Sequence, residues 1–335
     1  MNSTVISASN VKIIPGWILD VLLGTNAIFG ELLTIFGIIG NIINIIIFYK
    51  LGFTDTVNIT LTFLALTDLG ALVTLQAFNV LVNPWFLQLD VNIIPLDIAV
   101  MVSFYPHNYF IRVCGFITAF ASVERCLCVV FPLKVKRWVT TKVVVVTNVT
   151  IYFITLFNEF PAYYTGYIGW KKISPGNNKT YLGIVFRSVS KSMYDVSYLI
   201  TDLFLPYATF IVIIVSTVIL SFKLNHRAKW VKTLSSVNKR DKNISQSEKR
   251  VIRMLTTISI TFIVCLMPQS AILSAVSLVP GLGLYGKYFD IALVCYNVAY
   301  YTESINSSIT IVVYYSMSSN YKKTLQQMFA CFKWS

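Results

Sequence analysis

The side chains best able to do chemistry in this sequence lie where charge is expensive. Asp68, His107, Arg112, Glu159, Asp202 and Glu303 each fall inside a long apolar run. A charged group in such surroundings turns toward the interior of a bundle, where it pairs with an opposite charge, binds a cation or takes up a proton. His107 and Arg112 are separated by five positions, so on a helix they point about 140° apart and serve different neighbours. Two sub-sites follow from that spacing. They act either as salt bridges that hold helices in register or as a pocket offering both charge signs, which would suit a zwitterionic or peptide ligand.

The elements that must position these groups are membrane helices. The chain has 335 residues, 56% of them hydrophobic and only 12% charged, whereas a soluble domain carries about 25% charged residues. A span needs about 20 apolar residues, and seven stretches qualify: Ala27 to Tyr49, Val57 to Val82, Asp97 to Val130, Thr141 to Thr165, Tyr194 to Phe222, Val251 to Val279 and Tyr288 to Ser316. Asp202 and Glu159 each precede a proline, Pro206 and Pro161, toward one end of their spans. With a rise of ~1.5 Å per residue, Arg112 stands about 20 Å outward from Arg125, and Glu303 about 16 Å outward from Tyr314. The charges therefore converge on one outer cavity if the helices bundle.

Charge sets the orientation. The net charge is +13, and most lysines and arginines fall in alternate gaps and the tail, among them Lys50, Lys134, Arg137, Arg227, Lys239, Arg250, Lys322 and Lys333. The positive-inside rule places those gaps in the cytoplasm and the N-terminus outside, which removes the need for a nucleic-acid partner. Segment 1–26 is then a short extracellular arm, 27–316 the membrane bundle and 317–335 an inner tail. Asn2 and Asn178 head glycosylation sequons on the outer side. In the tail, Tyr321, Leu325, Met328 and Phe329 recur at helical spacing among lysines and glutamines, the pattern of an amphipathic helix lying on the bilayer. Cys331 at its end is a palmitoylation candidate or an idle thiol. The other cysteines sit in or beside apolar runs, and no disulfide is expected. His107 and His226 fall on opposite sides of the membrane and cannot share a metal, and no His/Cys cluster or phosphate-cradling glycine loop is present. An enzyme is thereby disfavoured. Mid-span charges would also serve an ion path, so a transporter or channel stands as the alternative function, without support from any internal repeat.

Gly40-Asn41, Leu64-Ala65-x-x-Asp68, Glu124-Arg125-Cys126, Pro132-Leu133, Pro206, Phe262 with Pro268, and Asn306-Ser307-Ser308 followed by Thr310 to Tyr314 occur in order along nearly the whole chain. Together they resemble the motifs of rhodopsin-like, class A G-protein-coupled receptors, with a weaker resemblance to invertebrate, mollusc-like chemosensory or peptide receptors. The resemblance implies an all-α membrane protein, a seven-transmembrane helix bundle with a short amphipathic C-terminal helix. It implies a plasma-membrane receptor for an extracellular ligand that activates a heterotrimeric G protein. Ligand-binding candidates are then His107, Ile111, Arg112, Glu159, Asp202 and Glu303, with His107 near Glu303 and Arg112 near Glu159 and Asp202. Glu124, Arg125, Glu248, Phe262, Pro268 and Tyr314 become coupling and switch candidates, with an Arg125–Glu248 latch or a solvated charge run at the inner face. Asp68, Asn306 and Ser307, with Cys114 and Thr310 nearby, form a polar cluster able to hold sodium, or Asp68 carries a proton; no other cofactor is implied. The sequence departs from the pattern at Leu266, Thr310 and Ile311, and Val100 stands where the family's outer disulfide cysteine is expected.

Overall fold

The computed structural model describes residues 14–83, 86, 91–172, 179–187, 196–233, 239–282 and 286–332. Sequon residues Asn2 and Asn178 lie outside the described residues, as do the side chains of Glu248 and Cys331.

Among the described residues, six helices are long and apolar enough to cross a membrane: α1 (Ile28–Leu51), α2 (Thr56–Leu81), α3 (Pro95–Val130), α4 (Thr141–Thr165), α5 (Val196–Lys223) and α6 (Arg250–Leu278). The seventh, α7 (Phe289–Met317), has 29 residues and is long enough but more polar. Its polar side chains are turned inward: Asn297, Glu303, Ser304, Asn306, Ser307, Ser308 and Thr310 are all buried. Hydropathy summed along a helix cannot see this division, because lipid meets only the outer face. A further helix, α8 (Ser319–Phe332), follows after Ser318. It is anchored by Tyr321, which is fully buried against Phe48 and Tyr314.

Local signals start and stop these helices. Asp55 caps α2 by accepting a hydrogen bond from the Val57 N–H at 3.0 Å, which satisfies one of the donors a helix start leaves open. Thr140 does the same for α4 through Val143. After α1 the chain turns at Gly52, whose φ of 83° suits glycine. The α1 helix reaches further outward than its apolar run suggests, continuing through a π-helical turn, Asn26–Gly30, into Gly16–Thr25 behind Pro15. Similar π turns, Val100–Phe104 and Leu199–Phe204, interrupt the outer parts of α3 and α5. Such turns rotate the residues beyond them and frequently accompany functional sites.

In the bundle α3 packs on α2, α4, α5 and α6, while α7 packs on α1, α2 and α6. The α1–α7 contact is close because Gly37 faces Ser308, and a Cβ at Gly37 would collide with that hydroxyl. At Gly70 a Cβ would stand 2.5 Å from the Phe110 ring, so α2 and α3 also depend on a missing side chain. The apolar core runs through Leu64, Val113, Ile117, Phe210, Phe262 and Tyr314. On the outer side of α4, Phe153, Ile154, Phe157 and Phe160 are exposed, as lipid contact requires.

One element was not expected in an otherwise helical chain. Strands β1 (Gly166–Lys172) and β2 (Thr180–Phe186) form an antiparallel hairpin after α4. Tyr, Ile, Trp and Val favour the extended backbone, while Gly169 and Gly183 pair across the hairpin. Lys171 Nζ donates to Asp97 Oδ2 at 2.6 Å, and the Ile184 N–H donates to the same oxygen at 2.9 Å. The outer end of α3 thus holds the hairpin through a carboxylate, beside the buried Val100.

Candidate functional site

Five of the mid-membrane charges meet in the outer half of the bundle as two separate groups. In the first, α3 brings His107 between α2 and α7. The Ala71 carbonyl can only accept, so His107 Nδ1 donates to it at 2.9 Å. The other ring nitrogen, Nε2, lies 2.9 Å from Glu303 Oε2, and one proton bridges this contact. Tyr300 packs edge-on against the imidazole. Both partners are almost wholly buried, and Glu303 Oε1 has no hydrogen-bond partner.

In the second group the planar guanidinium of Arg112 spans two helices. One terminal nitrogen pairs with Glu159 of α4, and Nη2 donates to Asp202 Oδ1 of α5 at 2.7 Å. Thr201 donates to the second oxygen of Asp202 at 2.9 Å. A single cation is thereby shared by two carboxylates, which its forked donor geometry allows. Proline placement supports this arrangement: Pro161 lies inside α4 just beyond Glu159, and the π turn before Pro206 contains Asp202.

Beside this cluster lies a cavity of ≈ 50 Å³ between α3, α5 and α6. Arg112 and Asp202 line one side, and Ile111, Phe210, Phe262 and Leu266 make much of its apolar wall. Glu159 reaches Arg112 without lining the cavity. The His107–Glu303 pair also stands outside it, so three of the six candidate ligand residues, Ile111, Arg112 and Asp202, line the cavity, Glu159 backs Arg112, and His107 and Glu303 form a separate pair. Gln269 was not singled out by sequence reasoning, although it is a polar residue directly after Pro268. It lines the cavity, is buried, and neither its Oε1 nor its Nε2 has a partner.

Phe262 connects the cavity to the centre of the bundle. Its ring meets Phe210 at 6.1 Å, and the absence of a side chain at Gly115 lets it approach α3, since a Cβ there would stand 3.1 Å from the ring. Pro268 lies within α6 and removes one N–H from that helix's hydrogen-bond ladder.

Deeper in the membrane a polar column joins α1, α2, α7 and α8. Ser307 donates to Asp68 Oδ1 at 3.0 Å, and the Cys114 thiol approaches the same oxygen at 3.6 Å. Asn41 donates to the Ser307 carbonyl at 2.8 Å, Asn44 to Asn41 Oδ1 at 3.2 Å, and Tyr321 to Asn44 Oδ1 at 2.5 Å. Burial pushes the Tyr321 phenol up, which keeps it a proton donor. Asn306 is buried next to this column. Asp68 and Ser307 bring oxygens together here, while the Cys114 thiol beside them is a poorer ligand for a hard cation such as sodium.

At the inner face Arg125 donates to Glu124 at 2.5 Å and to Thr56 of α2 at 3.0 Å. Glu124 is buried. Tyr314 packs against Phe48 with ring centroids 5.1 Å apart, and its hydroxyl has no partner. Glu248 belongs to the helix Lys239–Leu278, which continues α6 toward this face.

The family model described as the 7 transmembrane receptor (rhodopsin family) matches residues 40–318. No curated protein matches the chain.

Proposed function

Because the chain belongs to the rhodopsin family of seven-transmembrane receptors, we propose that it binds a small extracellular ligand in the α3–α5–α6 cavity and activates a heterotrimeric G protein at its opposite face. The observation carrying this reading is that Phe262 and Leu266 of α6 line the same cavity as Arg112 and Asp202. A ligand there touches the helix that must move as well as the charges that hold α3 to α5. Differential contact with two arrangements of α6 is what a ligand needs in order to shift their populations. Pro268 supplies a weak point in that helix, and the cavity that Phe262 lines leaves space beside its ring.

The Glu124–Arg125 pair is the proposed G-protein end of the path, with Glu248 as a second partner for Arg125. Basic residues around this end favour the cytoplasmic side of the plasma membrane, with the N-terminus outside. The ligand class extends to a chemosensory cue, a small polar molecule or a short peptide segment. Purified receptor in lipid nanodiscs, mixed with purified G-protein heterotrimers and a panel of such compounds, should accelerate guanine-nucleotide exchange for at least one compound. Ligand-dependent solute flux in sealed vesicles with no exchange on any G-protein class would overturn this reading in favour of a transporter.

A further inference from the structure

Gln269 is the least explained polar group beside the cavity. A buried amide with no partner carries the full desolvation cost of both its donor and its acceptor. Nothing in the fold requires a glutamine there, since no protein atom hydrogen-bonds to its side chain. The surrounding wall is largely apolar, with Leu266, Leu273, Phe210 and Phe262 close by. A leucine would satisfy such a wall without the desolvation cost. The amide is therefore best explained by something that enters the cavity and supplies one acceptor and one donor together.

The charged side narrows the chemistry further. Arg112 is already engaged by Glu159 and Asp202, so a ligand carboxylate would meet a group with two negative charges and one positive. Both Asp202 oxygens already accept hydrogen bonds, from Arg112 and Thr201, so an ammonium would have to compete with Arg112 for that carboxylate. The volume of ≈ 50 Å³ limits the occupant to a small molecule. We infer that the cavity takes a small uncharged ligand bearing an amide-like donor–acceptor pair, a primary carboxamide or lactam, and that Gln269 recognises it through two hydrogen bonds. This rests on the cavity being the ligand site, and it makes Gln269 the residue that determines ligand class.

The test uses four probes of nearly the same shape: isobutyramide, isobutyrate, isobutylamine and methyl isopropyl ketone. Their dissociation constants are measured by ligand-observed NMR on the full chain in nanodiscs, for wild type and for Gln269→Leu. Gln269→Leu removes no protein hydrogen bond, so it should fold, and its thermal midpoint checks that it does. Isobutyramide should bind the wild type at least tenfold more tightly than the other three, and Gln269→Leu should erase that preference. Equal binding of all four probes, unchanged in Gln269→Leu, would overturn the role of Gln269 while leaving the cavity as a ligand site. Tighter binding of isobutylamine or isobutyrate would transfer recognition to the charged cluster and defeat the inference. Absence of saturable binding for every probe would overturn both the inference and the cavity on which it rests.

Discussion

Removing Arg112 would leave the buried carboxylate of Glu159 and the partly buried one of Asp202 facing each other across α4 and α5 without their shared cation. Breaking a buried pair by deleting one partner typically costs about 3 to 5 kcal/mol, so Arg112→Ala should lower the thermal midpoint of the detergent-solubilised protein sharply. Arg112→Asp combined with Asp202→Arg separates the structural role from recognition. Recovered folding with unchanged ligand potency would make the cluster purely a brace, whereas recovered folding with altered ligand selectivity would place it in the pocket wall. The positions of these charges were legible in the sequence, because helical spacing alone directs His107 and Arg112 to different neighbours. The neighbours themselves came from the resemblance, and the structure places Glu303 beside one and Glu159 and Asp202 beside the other. The sequence left open whether these charges brace one another or face a ligand, and the structure shows them paired. Only atomic geometry distinguishes Gln269, whose amide lacks partners, from the paired acids around it.

Elements show a second kind of gap between pattern and structure. The helices announce themselves through length and apolar content, but the β1–β2 hairpin does not, because seven-residue strands are lost beside spans of more than twenty. Its attachment joins residues far apart in the chain: Asp97 at the outer end of α3 accepts from both Lys171 and Ile184. This carboxylate stands close to Val100, the position at which the family resemblance leads one to expect a disulfide. A charged hydrogen bond contributes about 1.5 to 3 kcal/mol, less than a covalent link but enough to hold a surface hairpin. Asp97→Ala should therefore increase hydrogen–deuterium exchange at residues 180–186 by tenfold or more while α2 and α3 keep their protection. If mass spectrometry shows unchanged exchange in that segment, the carboxylate is not what holds the hairpin.

For the whole molecule, the number of crossings decides which faces the ends occupy. The sequence offers seven stretches, but only six of the described helices are apolar enough to cross by mean hydropathy, and an even count would put both termini on the same side of the membrane. The family match reaches residue 318 and includes α7, and the structure explains why that helix is under-counted. Asn306, Ser307 and Thr310 face the polar column, while Val298, Ile305 and Val312 are exposed on the other side. In lipid such a helix is stable because its polar groups are satisfied by α1 and α2 instead of hydrocarbon. Asn41 donating to the Ser307 carbonyl and Ser307 donating to Asp68 are the contacts that do this. Seven crossings put the termini on opposite faces, and the positive-inside rule, applied to the lysines and arginines of the basic gaps, predicts a cytoplasmic C-terminus. Epitope tags at the two ends test this directly in intact cells. Antibody should label an N-terminal tag without permeabilisation and a C-terminal tag only after it. Labelling of both tags before permeabilisation, or of neither, would mean that α7 does not cross, and the path from the outer cavity to Arg125 would lose the helix that carries its polar column.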